Sequence, residues 1–394
     1  MTTDVLQRIT IPEHKTVAAR LPDHLAHRIT HDGHLSVQAI APGQWELKAK
    51  HHVGIVRYGD VEIRVVPKVD IGRVLHLAAY HDDPRMWTDE LVDLDAVDDP
   101  LSAVAHAFVA HAERALRPTP IQGYRTHETA EWNLRGRLLF DRQIARQAGL
   151  VLPAELRYDE YETNIVENQI LKGAISRLEP AVHDLSLRSR LRHLRFQLGG
   201  VDPWRAGLPV PQIIWTRLNE RYRSAIALAR LILENRSLEM SGASTDASSF
   251  LFNMNSVFES FLSVRLREEL ELARGRVELQ HVTHLDVNRG LKMKPDITWW
   301  QGPRCLAVID AKYKRVKNDT YPNADAYQML AYCTRLGLSE GWLIYADLDG
   351  SEPANHLIEQ AGVTIRSMDI NLAGSIDDLN ASVRRVSEVI AHLA

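Results

Sequence analysis

Cysteine is nearly absent: Cys305 and Cys333 are the only two in 394 residues. So few exclude a disulfide scaffold and a cysteine zinc cluster, and they suit a reducing cytoplasm. Long apolar runs are missing too. No stretch reaches the length that spans a bilayer, and the opening MTTDVLQRITIPEHK lacks the apolar centre of a secretion signal. No Gly-rich phosphate loop with its Lys occurs, so nucleotide hydrolysis through a P-loop is not expected of this chain, and a task needing a motor would need a partner. Nor is there a basic excess. The formal charge is -4, which gives no bulk attraction to nucleic acid but leaves room for a local basic surface.

What is present reads as a globular protein. Hydrophobic residues make up 45% and charged residues 25%, and the length exceeds what one ordinary core supports, so two or three domains are expected. Strand-like segments fill the first quarter: His34 to Ile40, Trp45 to Lys50, Val53 to Tyr58 and Val61 to Val66, with a tight turn at Gly59-Asp60. In the last segment Val61, Ile63 and Val65 share one face while Glu62 and Arg64 take the other, as in a half-buried strand. An acidic stretch from Asp82 to Pro100 reads as a boundary. Helical periodicity follows over Leu101 to Leu116, about Glu128 to Gln147, Asn164 to Leu178 and Trp215 to Leu233.

Between Arg188 and Arg236 ten arginines face three acidic residues. Such a run suits phosphate contact, or equally a solvated helical face with internal ion pairs. Glu239 to Ser249 is polar and linker-like. Beyond it come a helix over Asn255 to Leu272, strands at Asp296 to Trp300 and Cys305 to Lys312 around Gly302-Pro303, a helix over Pro322 to Leu336, and a strand at Gly341 to Ala346. That alternation indicates an α/β core.

The chemistry concentrates in Lys294-Pro295-Asp296 and Val308-Ile309-Asp310-Ala311-Lys312. Residues two apart on a strand face the same way, so Asp310 and Lys312 project together from an otherwise apolar strand. Unpaired charge there would be costly, and pairing with a metal, a phosphate and water removes that cost. Asp296 brings a second carboxylate. Hard oxygen donors suit Mg²⁺, which would polarise a scissile phosphate and activate water, while Lys312 orients that water and offsets developing charge. Glu259 borders the apolar face of the preceding helix, where it can lean into the same centre. Gln328 and Tyr332 are four apart on the following helix and share a face. Lys292, Lys294, Lys314, Arg315 and Lys317 flank the acidic pair and are candidate DNA contacts. His51, His52, His127 and His281 are too scattered to indicate zinc.

These residues, PD(296) with D(310)-A-K(312), Glu259 upstream and QMLAY(328–332) downstream, resemble the PD-(D/E)xK nuclease superfamily, in the branch carrying a Q-x-x-x-Y motif. The surrounding LKMKPDITWW, LAVIDAKYKRV and ADAYQMLAY resemble the McrC family of McrBC modification-dependent restriction systems. So do HHVGIVRYGDVEIRVVPKV, ending in Pro67-Lys68, and LRPTPIQGYRTHETAEWNLRGRLLFDRQI, with Tyr124 and Leu134-Arg135-Gly136-Arg137-Leu138. The likeness is faint from Arg177 to Phe250.

The resemblance implies a multidomain α+β chain: a β-rich N-terminal domain over 1–95 that docks a partner, a mainly helical middle over 96–240, and a restriction-endonuclease-like α/β domain with a mixed sheet over 250–394. It implies a Mg²⁺-dependent endonuclease, Mn²⁺ being a possible substitute, with Glu259, Asp296 and Asp310 as metal ligands and Lys312, Gln328 and Tyr332 completing the centre. The implied partners are double-stranded DNA, modified at cytosine, and a hexameric AAA+ GTPase of McrB type that binds the GTP. Arg125, Arg135 and Arg137 are candidates for the contact that stimulates it. Two other readings stay open: an adaptor of an AAA+ ring without catalysis, and a stand-alone repair nuclease.

Overall fold

The computed structural model describes residues 7–83, 100–148, 150–205, 208–234, 247–313, 323–347 and 354–393. The architecture is multidomain α+β, with a β-rich N-terminal region, a helical middle and a C-terminal mixed sheet. It divides into two compact units, residues 1–100 with 240–394, and residues 101–239.

The N-terminal part of the first unit comprises β1 (Gln7–Pro12), β2 (Thr16–Arg20), α1 (Asp23–Asp32), β3 (Leu35–Ala41), β4 (Gln44–Ala49), β5 (His52–Tyr58), β6 (Val61–Val66) and α2 (Ile71–Ala79). β5 and β6 are joined at Gly59, whose φ of 56° is the left-handed conformation a tight hairpin needs. β6 departs from the half-buried strand its alternation predicts. It is central, pairing parallel with β1 and antiparallel with β5, and Glu62 is fully buried.

The second unit comprises α3 (Pro100–Leu116), β7 (Gly123–Glu131), β8 (Arg137–Leu138), α4 (Phe140–Gln147), β9 (Ala154–Glu162), α5 (Val166–Leu178), α6 (Leu185–Gln197) and α7 (Arg223–Glu234). The helix expected over Glu128 to Gln147 does not form as such. Its first residues belong to β7, which pairs with β9 from Gly123 opposite Glu162 to Glu131 opposite Ala154. Exposure alternates along β7 with the two-residue period of a strand. The helix expected over Trp215 to Leu233 is also shorter, α7 beginning only at Arg223.

Most of the arginine run is tied internally. Arg190 grips Glu113 with two bonds of 2.8 Å, Arg192 and Arg195 pair with Glu179 at 3.1 and 3.0 Å, and Arg223 pairs with Glu220 at 2.9 Å. The internal ion pairs that one of the two readings expects are thus present, on arginines that stay largely exposed at Arg192 and Arg195.

The chain then returns to the first unit with β10 (Ala247–Asn253), α8 (Met254–Ala273), β11 (Arg276–Leu279), β12 (Thr283–His284), β13 (Lys292–Met293), β14 (Ile297–Gln301), β15 (Arg304–Lys312), α9 (Asn323–Leu336), β16 (Glu340–Asp347), β17 (Ala354–Ile358), β18 (Val363–Asn371) and α10 (Ile376–Leu393). The last residues of the linker-like stretch thus form part of β10, which pairs antiparallel with β5 and completes a sheet in the order β1-β6-β5-β10. Asn253 caps α8, accepting from the Asn255 and Ser256 amides. α8 buries Phe258, Phe261, Leu262, Leu266 and Leu270. The C-terminal sheet runs β11-β14-β15-β16-β18-β17. β15, β16 and β18 are parallel neighbours, and the remaining pairings are antiparallel. Among the described residues no helix is long and apolar enough to cross a membrane.

Candidate active site

Pairing of β14 with β15 stops at Ile297 opposite Ile309. The same register carried one residue further sets Asp296 opposite Asp310. Ala311 then has no β14 partner, and its amide donates to Asp296 Oδ2 at 2.9 Å. The carboxylate replaces a ladder acceptor and is fixed where the two strands part. Asp310 and Lys312 project to the same side as Val308, which packs against Met329, Tyr332 and Cys333 of α9.

Asp310 is only 2% exposed. Its Oδ2 forms an ion pair with the Lys312 ammonium yet has no hydrogen bond of good geometry. Lys312 Nζ donates to Gln328 Oε1 at 2.9 Å, and Gln328 Nε2 donates to Tyr332 Oη at 2.8 Å. The buried Asp325 lies 3.8 Å from Lys312 Nζ and accepts from Tyr345 Oη at 3.2 Å. On the α8 side, Glu259 Oε1 accepts from Gln280 Nε2 at 2.7 Å, while Gln280 Oε1 accepts from Lys294 Nζ at 2.6 Å. The Gln280 amide donates to the Asp296 carbonyl at 2.7 Å. Gln280 holds these contacts at a φ of 50°, a left-handed conformation uncommon for a residue with a side chain.

The electrostatics follow from crowding. Burial, then the neighbouring Asp310 and Glu259, push Asp296 up to about 8. Asp310 is raised as well, by burial first and also by Asp325 and Glu259, against the pull of Lys312. Burial draws Lys312 down, but Asp310 beside it more than compensates, and the ammonium is held charged. Burial and the two aspartates push Tyr332 up to about 12, so its hydroxyl remains a donor.

Glu259, Asp296, Asp310, Lys312, Gln328 and Tyr332 therefore meet in one place, from α8, β15, α9 and the entry to β14. Lys294 stands at its rim. Lys292 is exposed, with no side-chain partner among the described residues. Lys314, Arg315 and Lys317 lie outside the described residues.

Arg125, Arg135 and Arg137 belong to the other unit. Arg125 leans towards Glu162 at 3.4 Å, Arg135 stacks 3.6 Å over the Tyr158 ring, and Arg137 is exposed. Two residues at the centre escaped the sequence reading. Asp325 stands three before Gln328 and seven before Tyr332, a helical-face spacing that was there to be read. Gln280 carries no comparable signal.

Among the described residues no three His, Cys, Asp or Glu side chains are grouped to hold a metal ion by themselves. Mg²⁺ asks for less, since one or two carboxylates with water and substrate phosphate commonly complete its shell. Asp310 Oδ2, buried and ion-paired with Lys312 but without a hydrogen bond of good geometry, and Asp296, raised by burial first and then by Asp310 and Glu259, are oxygen donors of the kind a hard divalent cation takes.

Comparison with known proteins gives the family. The family model described as McrBC 5-methylcytosine restriction system component matches residues 47–346. The chain belongs to the McrBC family. The match to this McrBC family takes in every residue of the centre. A chain of the refined half-complex from a tetradecameric assembly of Thermococcus gammatolerans McrB AAA+ hexamers with bound McrC shares the fold, with a TM-score of 0.60 at 18% identity. That likeness covers 97% of this McrBC-family chain and 100% of the other. A chain of the cryo-EM Thermococcus gammatolerans McrBC complex matches with a TM-score of 0.42 at 18% identity, over 65% of this chain and 85% of that one. No curated protein matches.

Proposed function

We propose that this chain is the Mg²⁺-dependent DNA endonuclease subunit of an McrBC-type restriction complex, of PD-(D/E)xK type, with an AAA+ GTPase as its partner. The observation that carries this reading is the meeting of Asp296, Asp310, Glu259 and Lys312, which the sequence separates by up to 53 positions. Asp296 and Asp310 would hold the ion, and Glu259 would do so directly or through water. When bound, Mg²⁺ (or Mn²⁺) supplies polarisation of the scissile phosphate and a reactive water.

The chain's own groups do the rest. The Lys312 ammonium, held charged, donates to the attacking water or a phosphate oxygen and offsets negative charge at the pentavalent phosphorus. Gln328 fixes Lys312, and Tyr332 fixes Gln328. Lys294, exposed at the rim and hydrogen-bonded to Gln280, would meet the phosphate backbone beside the cut. Hydrolysis leaves a 3′-hydroxyl and a 5′-phosphate.

Features of the second unit support an assembly role. Tyr124, Trp132, Leu134, Phe140, Ile144 and Val151 are exposed around its three-stranded sheet, as on a surface that meets protein. The exposed Arg137 beside them is the freest of the three arginines to reach a nucleotide site.

The deciding experiment combines the chain, an McrB-type GTPase, Mg²⁺, GTP and methylated or unmethylated DNA, omitting each in turn. Cleavage should require the metal and vanish with Asp310→Ala or Lys312→Ala, while both variants still assemble with the GTPase. Undiminished cutting by a folded Asp310→Ala variant would overturn the nuclease reading. Assembly and GTPase stimulation without any metal-dependent cutting would mark the chain as an adaptor.

A further inference from the structure

Glu62 lies at the middle of the first sheet, fully buried, with Arg8 and Arg57 as its direct neighbours across the strands. Arg64 is two residues along the same strand and so on the same face. All three guanidiniums converge on this one carboxylate. Arg8 Nε donates to Oε1 at 3.1 Å, Arg57 Nε to Oε2 at 2.8 Å and Arg64 Nε to Oε1 at 2.6 Å.

One carboxylate balances one guanidinium, so the cluster carries a surplus of two positive charges. Each arginine spends only its Nε on Glu62. Its Nη groups, four N–H donors per residue, have no acceptor among the described residues. Glu62 acts as a template that fixes the roots of three forks, with Arg8 largely exposed and Arg57 and Arg64 reaching solvent over only 15% and 16% of their side chains. Neutralising Glu62 would have taken one arginine, so structural need does not explain three.

We infer that Arg8, Arg57 and Arg64 form a phosphodiester-binding site that grips the DNA backbone away from the cut. Planar forks with free Nη pairs match phosphate oxygens two at a time. β1 carries Arg8 and leads into Glu13, which accepts from the hydroxyl of Tyr313 at 3.2 Å, next in sequence to Lys312, so the cluster belongs to the same compact unit as the acidic centre. The inference rests on DNA being the substrate, as proposed above.

The test is binding without chemistry. The full chain is titrated with a fluorescent 30-base-pair duplex in EDTA, across a salt series, comparing wild type with Arg8→Gln, Arg8→Lys and Arg8→Gln/Arg57→Gln. Arg8 is 55% exposed and its loss leaves two arginines on Glu62, so that variant keeps its fold, checked by thermal unfolding. Arg8→Gln should weaken binding several-fold and lower the salt slope by about 1, the double variant by about 2, and Arg8→Lys should keep the slope. Unchanged affinity and slope in folded variants overturn the inference. So does unchanged DNA binding with weakened GTPase assembly, since the cluster would then serve an acidic protein surface. Metal is absent throughout, so a failure here is distinct from a failure of the nuclease reading.

Discussion

Two charge clusters in the same compact unit have opposite stoichiometry. Around Glu62 one carboxylate faces three guanidiniums. Around Lys312 one ammonium faces Asp310 and Asp325, with Asp296 and Glu259 close enough to raise their neighbours. Buried charge normally balances. An imbalance inside a fold is relieved by protonation, as the raised Asp296 shows, or by a charge the chain does not supply, and on the readings proposed above the two missing charges are of opposite sign. A surplus of carboxylate calls for a cation, a surplus of guanidinium for an anion. A DNA backbone arriving with its divalent ion would satisfy both.

The sharpest way to break this comparison is to remove one charge of each sign at the acidic cluster. Lys312→Ala leaves buried carboxylates without their counter-ion, so it should cost on the order of 3 kcal/mol of stability in EDTA as well as cleavage. Asp310→Asn removes one of the crowded negatives. It should leave the melting temperature in EDTA unchanged or higher while reducing cleavage by on the order of 10²- to 10³-fold. Added Mg²⁺ should raise the melting temperature of wild type more than that of Asp310→Asn. Equal loss of stability in both variants would mean that the cluster is an ordinary ion pair.

Next in size is the pH response of the metal-free chain, where the two clusters should fail at opposite ends. Asp296 is raised to about 8, so the folded state binds more protons than the unfolded state from about pH 4 to 8. Its contribution is complete at low pH and is lost as pH rises through that window. Glu62 runs the other way. Burial pushes its carboxyl up, but hydrogen bonds from Arg64 and Arg57 outweigh that and hold it below the ordinary value. Its contribution is present above the unfolded pKa and is lost as pH falls through the folded one. In EDTA, melting temperatures from pH 6 to 9 should fall for wild type and flatten for Asp296→Asn. Glu62→Gln should flatten the acid limb instead.

Much of this centre is legible in the sequence because strand and helix periods settle which side chains share a face. Asp310 with Lys312 follows from a period of two, and Gln328 with Tyr332 from a spacing of four. The β-rich start, the parallel strand after α9 and the register of Asp296 also lie within reach of local patterns. The unreadable part is what distant segments do to one another. Glu62 alternates like an exposed residue, and only pairing with β1 and β5 on both sides buries it. β7 reads as a helical stretch because THETAE carries no apolar period, and its partner β9 decides the matter. The return of β10 to the N-terminal sheet joins residues almost 200 positions apart, which no local signal encodes.

Gln280 is the extreme case and gives the smallest predicted effect. No motif marks it, yet it connects Glu259, Lys294 and the Asp296 backbone while sitting at a positive φ. Such backbone costs about 1 kcal/mol for a residue with a side chain and nothing comparable for glycine. Gln280→Gly therefore relieves strain while deleting the amide that orients Glu259, and it should melt no lower than wild type. Cleavage should nonetheless fall about tenfold, with more Mg²⁺ needed for half-maximal rate. Gln280→Ala should lose the same activity and also some stability, because the strain remains without the hydrogen bonds that hold it. A residue serving only to pack the turn would show stability and activity moving together in both variants. Separation of the two readouts in Gln280→Gly is what a residue that positions the acidic cluster demands.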